Sequence, residues 1–161
     1  MLIGVMSDSH DNLPKIKKAV EIFNRKKVSM VIHAGDYVSP FSLDLLDNLE
    51  CPYKGIFGNN DGEKAGLIKK SNNRIKESPQ EWEIDGKRVL VIHDFKNISP
   101  ALKKRRFDII IHGHTHIPEI CCDRNGSCLI VNPGECCGWV KSKSSVALID
   151  TEKMAAEIIE F

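Results

Sequence analysis

The sequence predicts an α/β fold, specifically a four-layer αββα sandwich in which two facing mixed β-sheets lie between helices. Three observations support this. The N-terminal third alternates short apolar runs with helical segments, which is the order that gives parallel strands joined by right-handed crossovers. The later part instead carries turn dipeptides, Asp85-Gly86 and Asn125-Gly126, between apolar runs, which marks antiparallel hairpins. Finally, 161 residues with 42% apolar composition can close one substantial core and not two, so residues 1–161 are expected to form a single domain.

Each element has its own local reason. Leu2 to Met6 is a continuous apolar run, suited to a buried strand. Leu13-Pro14 opens a helix, since proline is favourable in a first turn, and Ile16, Ala19, Val20 and Phe23 then recur on one face opposite Lys15, Lys17, Lys18 and Arg25. Val28 to Ile32 reads as the second strand. Ser39-Pro40 opens a second helix carrying Phe41, Leu45, Leu46 and Leu49, and Tyr53 to Phe57 is the third strand. Trp82 to Ile84 and Val89 to Ile92 flank the Asp85-Gly86 turn. Ser99 to Arg105 is a short helix before the strand Ile109 to Ile111. Pro118 to Cys122 pairs with Cys128 to Val131, and Ser145 to Ile149 with Ala155 to Ile159. No repeat, low-complexity stretch or linker interrupts the chain.

Composition narrows the function classes. Lys and Arg total 23 against 22 Asp and Glu, so no global field draws in a long polyanion; a small phosphorylated substrate fits better than duplex DNA, and no stable nucleic-acid complex is expected. The apolar run at Met1 to Met6 ends too early for a signal peptide or a membrane span, which points to a soluble cytoplasmic protein. The six cysteines (Cys51, Cys121, Cys122, Cys128, Cys136, Cys137) form no Cys-x-x-Cys unit and read as reduced, mostly buried thiols.

The informative pattern lies in the polar residues. Asp8 and His10 follow the first strand, Asp36 the second, and Asn59, Asn60 and Asp61 the third. His93 ends the strand Val89 to Ile92, while His114 and His116 follow Ile109 to Ile111. Strand carboxyl ends form the ligand crevice of open α/β sheets, so five loops should converge there. Asp8, His10, Asp36, Asn59, His93, His114 and His116 offer hard oxygen and imidazole donors with no thiolate, which suits Mn, Fe, Co, Ni or Zn as divalent ions, manganese first among them. Seven donors are too many for one tetrahedral ion. They suit two, about 3.5–4 Å apart, sharing one carboxylate and holding a nucleophilic hydroxide for in-line phosphoryl displacement.

The blocks Asp8-Ser9-His10, Gly35-Asp36, Gly58-Asn59-Asn60-Asp61, His93 and Gly113-His114-Thr115-His116, followed by Asn132-Pro133-Gly134, occur in the order of the calcineurin-like metallophosphoesterase superfamily. The small size resembles its YfcE-type phosphodiesterases. The resemblance implies one metal at Asp8, His10, Asp36 and His116, and a second at Asp36, Asn59, His93 and His114, with Asp36 bridging. It also implies an active-site role for Asn60, which would orient substrate, and for Asp61, which would hold the Asn59-Asn60 turn. Two positions depart from the pattern. Asn60 stands where many relatives have histidine, and an amide cannot deliver a proton near neutral pH, so diesters with good leaving groups are the expected substrates and monoesters poor ones. Asp94 stands where glycine is common; it either adds charge near the site or faces solvent.

Taken one at a time, these residues have ordinary readings. Asp8 and Asp36 suit helix caps, Asn59 and Asp61 suit turns, and a single histidine at a strand end is more often structural. It is the joint pattern that favours ligation. His33 and His112 read equally as hydrogen-bonding supports of the site and as packing residues. Lys103 to Arg106 read as a solvated helix end, and Cys136 and Cys137 as inert thiols near the site. The rival functions are a non-catalytic interaction scaffold resembling the retromer subunit of this fold, a phosphomonoesterase or nucleotidase, and, more weakly, a nuclease. A homodimer is compatible with so compact a fold.

Overall fold

The computed structural model describes residues 1–161. Eleven strands form two mixed sheets. The first sheet contains β1 (Leu2–Met6), β2 (Met30–His33), β3 (Tyr53–Ile56), β4 (Ile75–Lys76), β10 (Ser145–Asp150) and β11 (Ala155–Glu160), in the order β11-β10-β1-β2-β3-β4. The β1–β2, β2–β3 and β3–β4 pairs are parallel; β10 closes on β1 antiparallel, with Ile3 opposite Ile149. The second sheet runs β5-β6-β7-β9-β8 and comprises β5 (Gln80–Ile84), β6 (Lys87–Ile92), β7 (Ile109–His112), β8 (Pro118–Cys122) and β9 (Leu129–Pro133).

The sheets face each other across an apolar layer. Ile3, Val5 and Ile32 from the first meet Val91, Ile111 and Val131 from the second, all at least 95% buried. Strand alternation sends Met6 and Val31 to the opposite face, where they pack against Ile16, Val20 and Phe23 of α1 (Leu13–Lys26). The far side of the second sheet carries a thinner cover. Leu90, Ile92 and Ile110 pack there against Phe95, Ile98 and Leu102, the last from α3 (Pro100–Lys103).

The predicted sandwich is the observed one, and several elements differ in detail. The expected second helix is a run of 3₁₀ turns over Pro40–Asn48. At its end the side-chain Nδ2 of Asn48 donates to the carbonyls of Asp44 and Leu45, competing for acceptors that an α-helix would use. The expected helix over Ser99 to Arg105 shortens to Pro100–Lys103, capped by Ser99 Oγ on the Leu102 amide. Besides a single 3₁₀ turn at Phe95–Asn97, two elements went unforeseen, α2 (Lys64–Lys70) and β4. The first has a central Gly66 and only Leu67 buried, and the second spans two residues, so neither leaves a periodic signal. The later hairpins exist, yet β6, β7 and β9 pair in parallel, because the β8–β9 hairpin inserts its second strand beside β7 and leaves β8 at the edge. No helix is long and apolar enough to cross a membrane.

Candidate active site

The carboxyl ends of β1, β2, β3, β6 and β7 lie along one rim of the sandwich, and there the structure gathers all seven predicted donors. Asn59 Oδ1 lies 3.0 Å from His93 Nε2 and 2.8 Å from His114 Nδ1. His93 Nε2 is in turn 3.4 Å from Asp36 Oδ2, which also lies 3.5 Å from His10 Nε2. His116 Nε2 is 3.4 Å from Asp8 Oδ1. Two groupings result, one of Asp8, His10 and His116, the other of Asp36, Asn59, His93 and His114, with Asp36 reaching both.

The backbone is strained to produce this. Asp8, His10, Asp36, His114 and His116, five of the seven, have φ between +39° and +67°. Left-handed geometry costs a non-glycine residue roughly 1–2 kcal/mol, and such strain concentrates at functional sites. The aspartates do not cap the helices that follow them: Asn12 caps α1, and Ser39 precedes the 3₁₀ segment. The loops also need glycine where they cross, since a Cβ on Gly58 would sit 2.1 Å from Asp36 Oδ1.

Buried hydrogen bonds hold the cluster from behind. His33 Nδ1 accepts from the Gly35 amide, so its Nε2–H faces Ser9 Oγ at 2.9 Å, and Ser9 Oγ donates to the Asp36 carbonyl. Asn132 Nδ2 donates to the Gly113 carbonyl and to Thr115 Oγ1, bracing the loop of His114 and His116. His112 packs on Phe95 away from the donors. Asp61 does more than hold its own turn. Its Oδ1 accepts from the Tyr37 and Val38 amides and its Oδ2 from Asp36 and Gly58, so it fixes the Asp36 loop to the Asn59 loop. Asn60 turns toward Asp36, donating from its amide N to Oδ1 and from Nδ2 to Oδ2 at 2.8 and 2.7 Å.

The far ring nitrogens have their own acceptors. His93 Nδ1 lies 2.7 Å from the Ala34 carbonyl, which places its proton there and leaves Nε2 for the site. His116 Nδ1 lies 2.6 Å from Glu135 Oε2, and His114 Nε2 faces Asp94 at 3.8 Å. Carboxylates and carbonyls behind imidazoles in this way orient metal ligands. Asp94 therefore stands beside the site, where it also caps the turn Phe95–Asn97. Glu135, buried and accepting from the Val140 and Lys141 amides as well, was not singled out in the sequence, where the block Asn132-Pro133-Gly134 stops one residue short of it.

Electrostatics favour a cation. Burial pushes the Asp8 carboxyl above its ordinary range, partly offset by His93, Ser7 and His116. Burial also works against the Asp36 anion, but hydrogen bonds and charge from His93 and the two Asn60 donors outweigh it and hold the group well below that range. Asp8 Oδ1 and His10 Nε2 are buried without a hydrogen-bond partner. Such orphans are costly unless a further group, such as a metal ion, meets them. The donor set and its orphaned atoms thus fit divalent ions. A cavity of about 900 Å³ lies away from these donors, lined by Phe95, Leu102, Phe107 and Ile130.

All six cysteines are free thiols. Cys128, Cys136 and Cys137 are buried, and burial pushes the Cys137 thiol up to about 12; Cys122, on edge strand β8, is exposed, so the buried expectation holds for half of them.

A two-sheet sandwich with these donors on one rim is the architecture of a metal-dependent phosphoesterase. The chain belongs to the calcineurin-like phosphoesterase superfamily, whose domain model matches residues 1–154. It is 40% identical over 159 residues to a protein named phosphodiesterase from Methanocaldococcus jannaschii, covering 95% of each chain. Among solved structures, one described as a novel archaeal phosphodiesterase superimposes with a TM-score of 0.91 at 36% identity, over 100% of both chains. The phosphoesterase YfcE of E. coli gives 0.74 at 17% identity, over 99% of this chain and 98% of its own, a likeness of fold. Membership of this family implies divalent metal ions.

Proposed function

We propose that the chain is a phosphodiesterase that hydrolyses a small phosphodiester with a dinuclear metal centre. The observation that carries this reading is the double convergence on Asp36, whose Oδ2 lies 3.5 Å from His10 Nε2 and 3.4 Å from His93 Nε2. One ion would be held by Asp8, His10, Asp36 and His116, the other by Asp36, Asn59, His93 and His114. Manganese is the first choice, with nickel, iron, cobalt and zinc also suited to these donors. Bound there, the ions supply an activated hydroxide at neutral pH and positive charge against the phosphoryl oxygens.

The remaining work falls to the chain. Glu135 and the Ala34 carbonyl keep His116 and His93 in the tautomers that turn the near nitrogen inward, and Asp94 places negative charge 3.8 Å from His114 Nε2. Asp61 keeps the Asp36 loop in its left-handed turn. Asn60 lies at the rim beside Asp36, where its amide orients a phosphoryl oxygen but has no proton to give a poor leaving group. Diesters with good leaving groups are therefore the favoured substrates. The phosphodiesterase named in the 40% identical relative supports the diester over the monoester reading.

The test is to strip the protein with chelator, restore single metals, and assay an aryl phosphodiester beside an aryl phosphomonoester. Diester turnover should vanish on chelation and return best with Mn²⁺, with about two ions bound per chain when the centre is dinuclear. Asp36→Ala should abolish turnover and lower the metal stoichiometry together. Activity that survives chelation, or that no metal restores, would favour a scaffold role.

A further inference from the structure

Beside the donor cluster the surface is apolar where a polar rim would be expected. Ile117 is 52% exposed, Trp139 66% and Val140 61%, and all three belong to the two segments that leave the cluster. Ile117 directly follows His116. Trp139 and Val140 follow Cys137, whose amide donates to the Asp8 carbonyl. An isolated exposed apolar residue needs no explanation, whereas several on the segments that leave a binding site do.

Trp139 is also held in place. Its indole Nε1 donates to the carbonyl of His10 at 3.4 Å, which fixes the edge of the ring and leaves its faces open. The next residues are anchored too, because the Val140 and Lys141 amides both donate to Glu135, the same carboxylate that bonds His116 Nδ1. One buried acid thus positions a donor histidine and the loop that presents the tryptophan. A rigid aromatic face tied to the cluster at both His10 and His116 suits a planar group on the substrate.

We propose that Trp139 is a stacking platform that selects phosphoesters carrying an aromatic or nucleobase ring, with Glu135 positioning its loop. This rests on the phosphodiesterase reading and specifies its substrate class. Ring stacking on an aromatic side chain is worth enough to raise affinity about tenfold.

The test compares two stable ligands, phenylphosphonate and methylphosphonate, as competitive inhibitors of aryl phosphodiester hydrolysis. The wild-type protein should bind the phenyl compound more tightly, and Trp139→Ala should reduce the ratio of the two inhibition constants by about tenfold, while Trp139→Phe should keep most of it. In Zn²⁺-loaded protein labelled at its two tryptophans, phenylphosphonate should shift the indole Nε1–H resonance that Trp139→Phe removes and leave that of Trp82 in place. Metal-restored turnover with an unchanged inhibition ratio would overturn the platform and leave the phosphodiesterase reading standing. An indole shift without turnover under any metal would do the reverse. A change of oligomeric state in Trp139→Ala with the phenyl preference intact would also overturn it, assigning the patch to a protein interface.

Discussion

Asn60 is the residue at which this chain's chemistry is most easily moved. Its side chain reaches Asp36 Oδ2 at 2.7 Å, so an imidazole in its place would stand at the reacting face with a proton to deliver. Asn60→His should raise the ratio of aryl monophosphate to aryl diester hydrolysis by up to roughly a hundredfold, the lower end of what general acid catalysis supplies. Parallel steady-state assays of the two substrates would measure it, and an unchanged ratio would count against the proposed role of the amide. At this scale much of the site was legible in the chain. Asp8, Asp36, Asn59 and His93 each stop an apolar run, and a polar group at a strand end is a pattern that sequence carries. Glu135 and Trp139 were not legible, because their meaning lies in contacts across 19 and 129 positions, with His116 and His10, that no local spacing encodes.

The strands were legible for the same reason that they are stable, since β1, β2, β6 and β7 are continuous apolar runs buried on both faces. What failed were short elements whose geometry depends on side-chain competition, as at Asn48, or on a single buried residue, as in α2. The three hairpins were legible from their turns, but which strands lie beside one another in parallel, as β6, β7 and β9 do, lay beyond local pattern. Burial then ranks the strands by cost of damage. Ile32→Ala, in the layer between the sheets and fully buried, should destabilise the protein by about 2–5 kcal/mol. Ile120→Ala, on edge strand β8 and 39% exposed, should cost under about 1 kcal/mol. Urea unfolding of the two variants beside the wild type checks the contrast, and equal losses would mean that the second sheet's edge is packed in a way this fold does not show.

For the molecule as a whole, the histidines make stability depend on pH. Burial holds the His33 imidazole down to about 3, far below the ordinary 6.5, and burial also lowers His112. The unfolded chain takes up a proton at His33 near pH 6.5, and the folded chain does not. The stabilising contribution is therefore complete above about 6.5 and is lost as pH falls below it, at about 1.4 kcal/mol per unit. His93, raised by Asp36 against its burial, runs the other way. The difference between wild type and His33→Asn isolates the one group: between pH 7.5 and 5.5 the wild type should lose about 1.4 kcal/mol more than the variant in urea unfolding of chelated protein, and parallel curves would refute the assignment.

The central strand of the first sheet has neighbours from opposite ends of the chain, β2 close behind it and β10 more than 140 positions later. During synthesis β1 therefore emerges with one edge unsatisfied, exposing Leu2 to Val5 until the final hairpin has left the ribosome. An unpaired apolar edge of that kind invites other chains to add to it. Closing so large a loop is entropically slow, and each newly made molecule passes through a window of vulnerability to self-association. The turn that holds Asp8 directly follows this strand, so its surroundings are complete only once β10 has paired with β1.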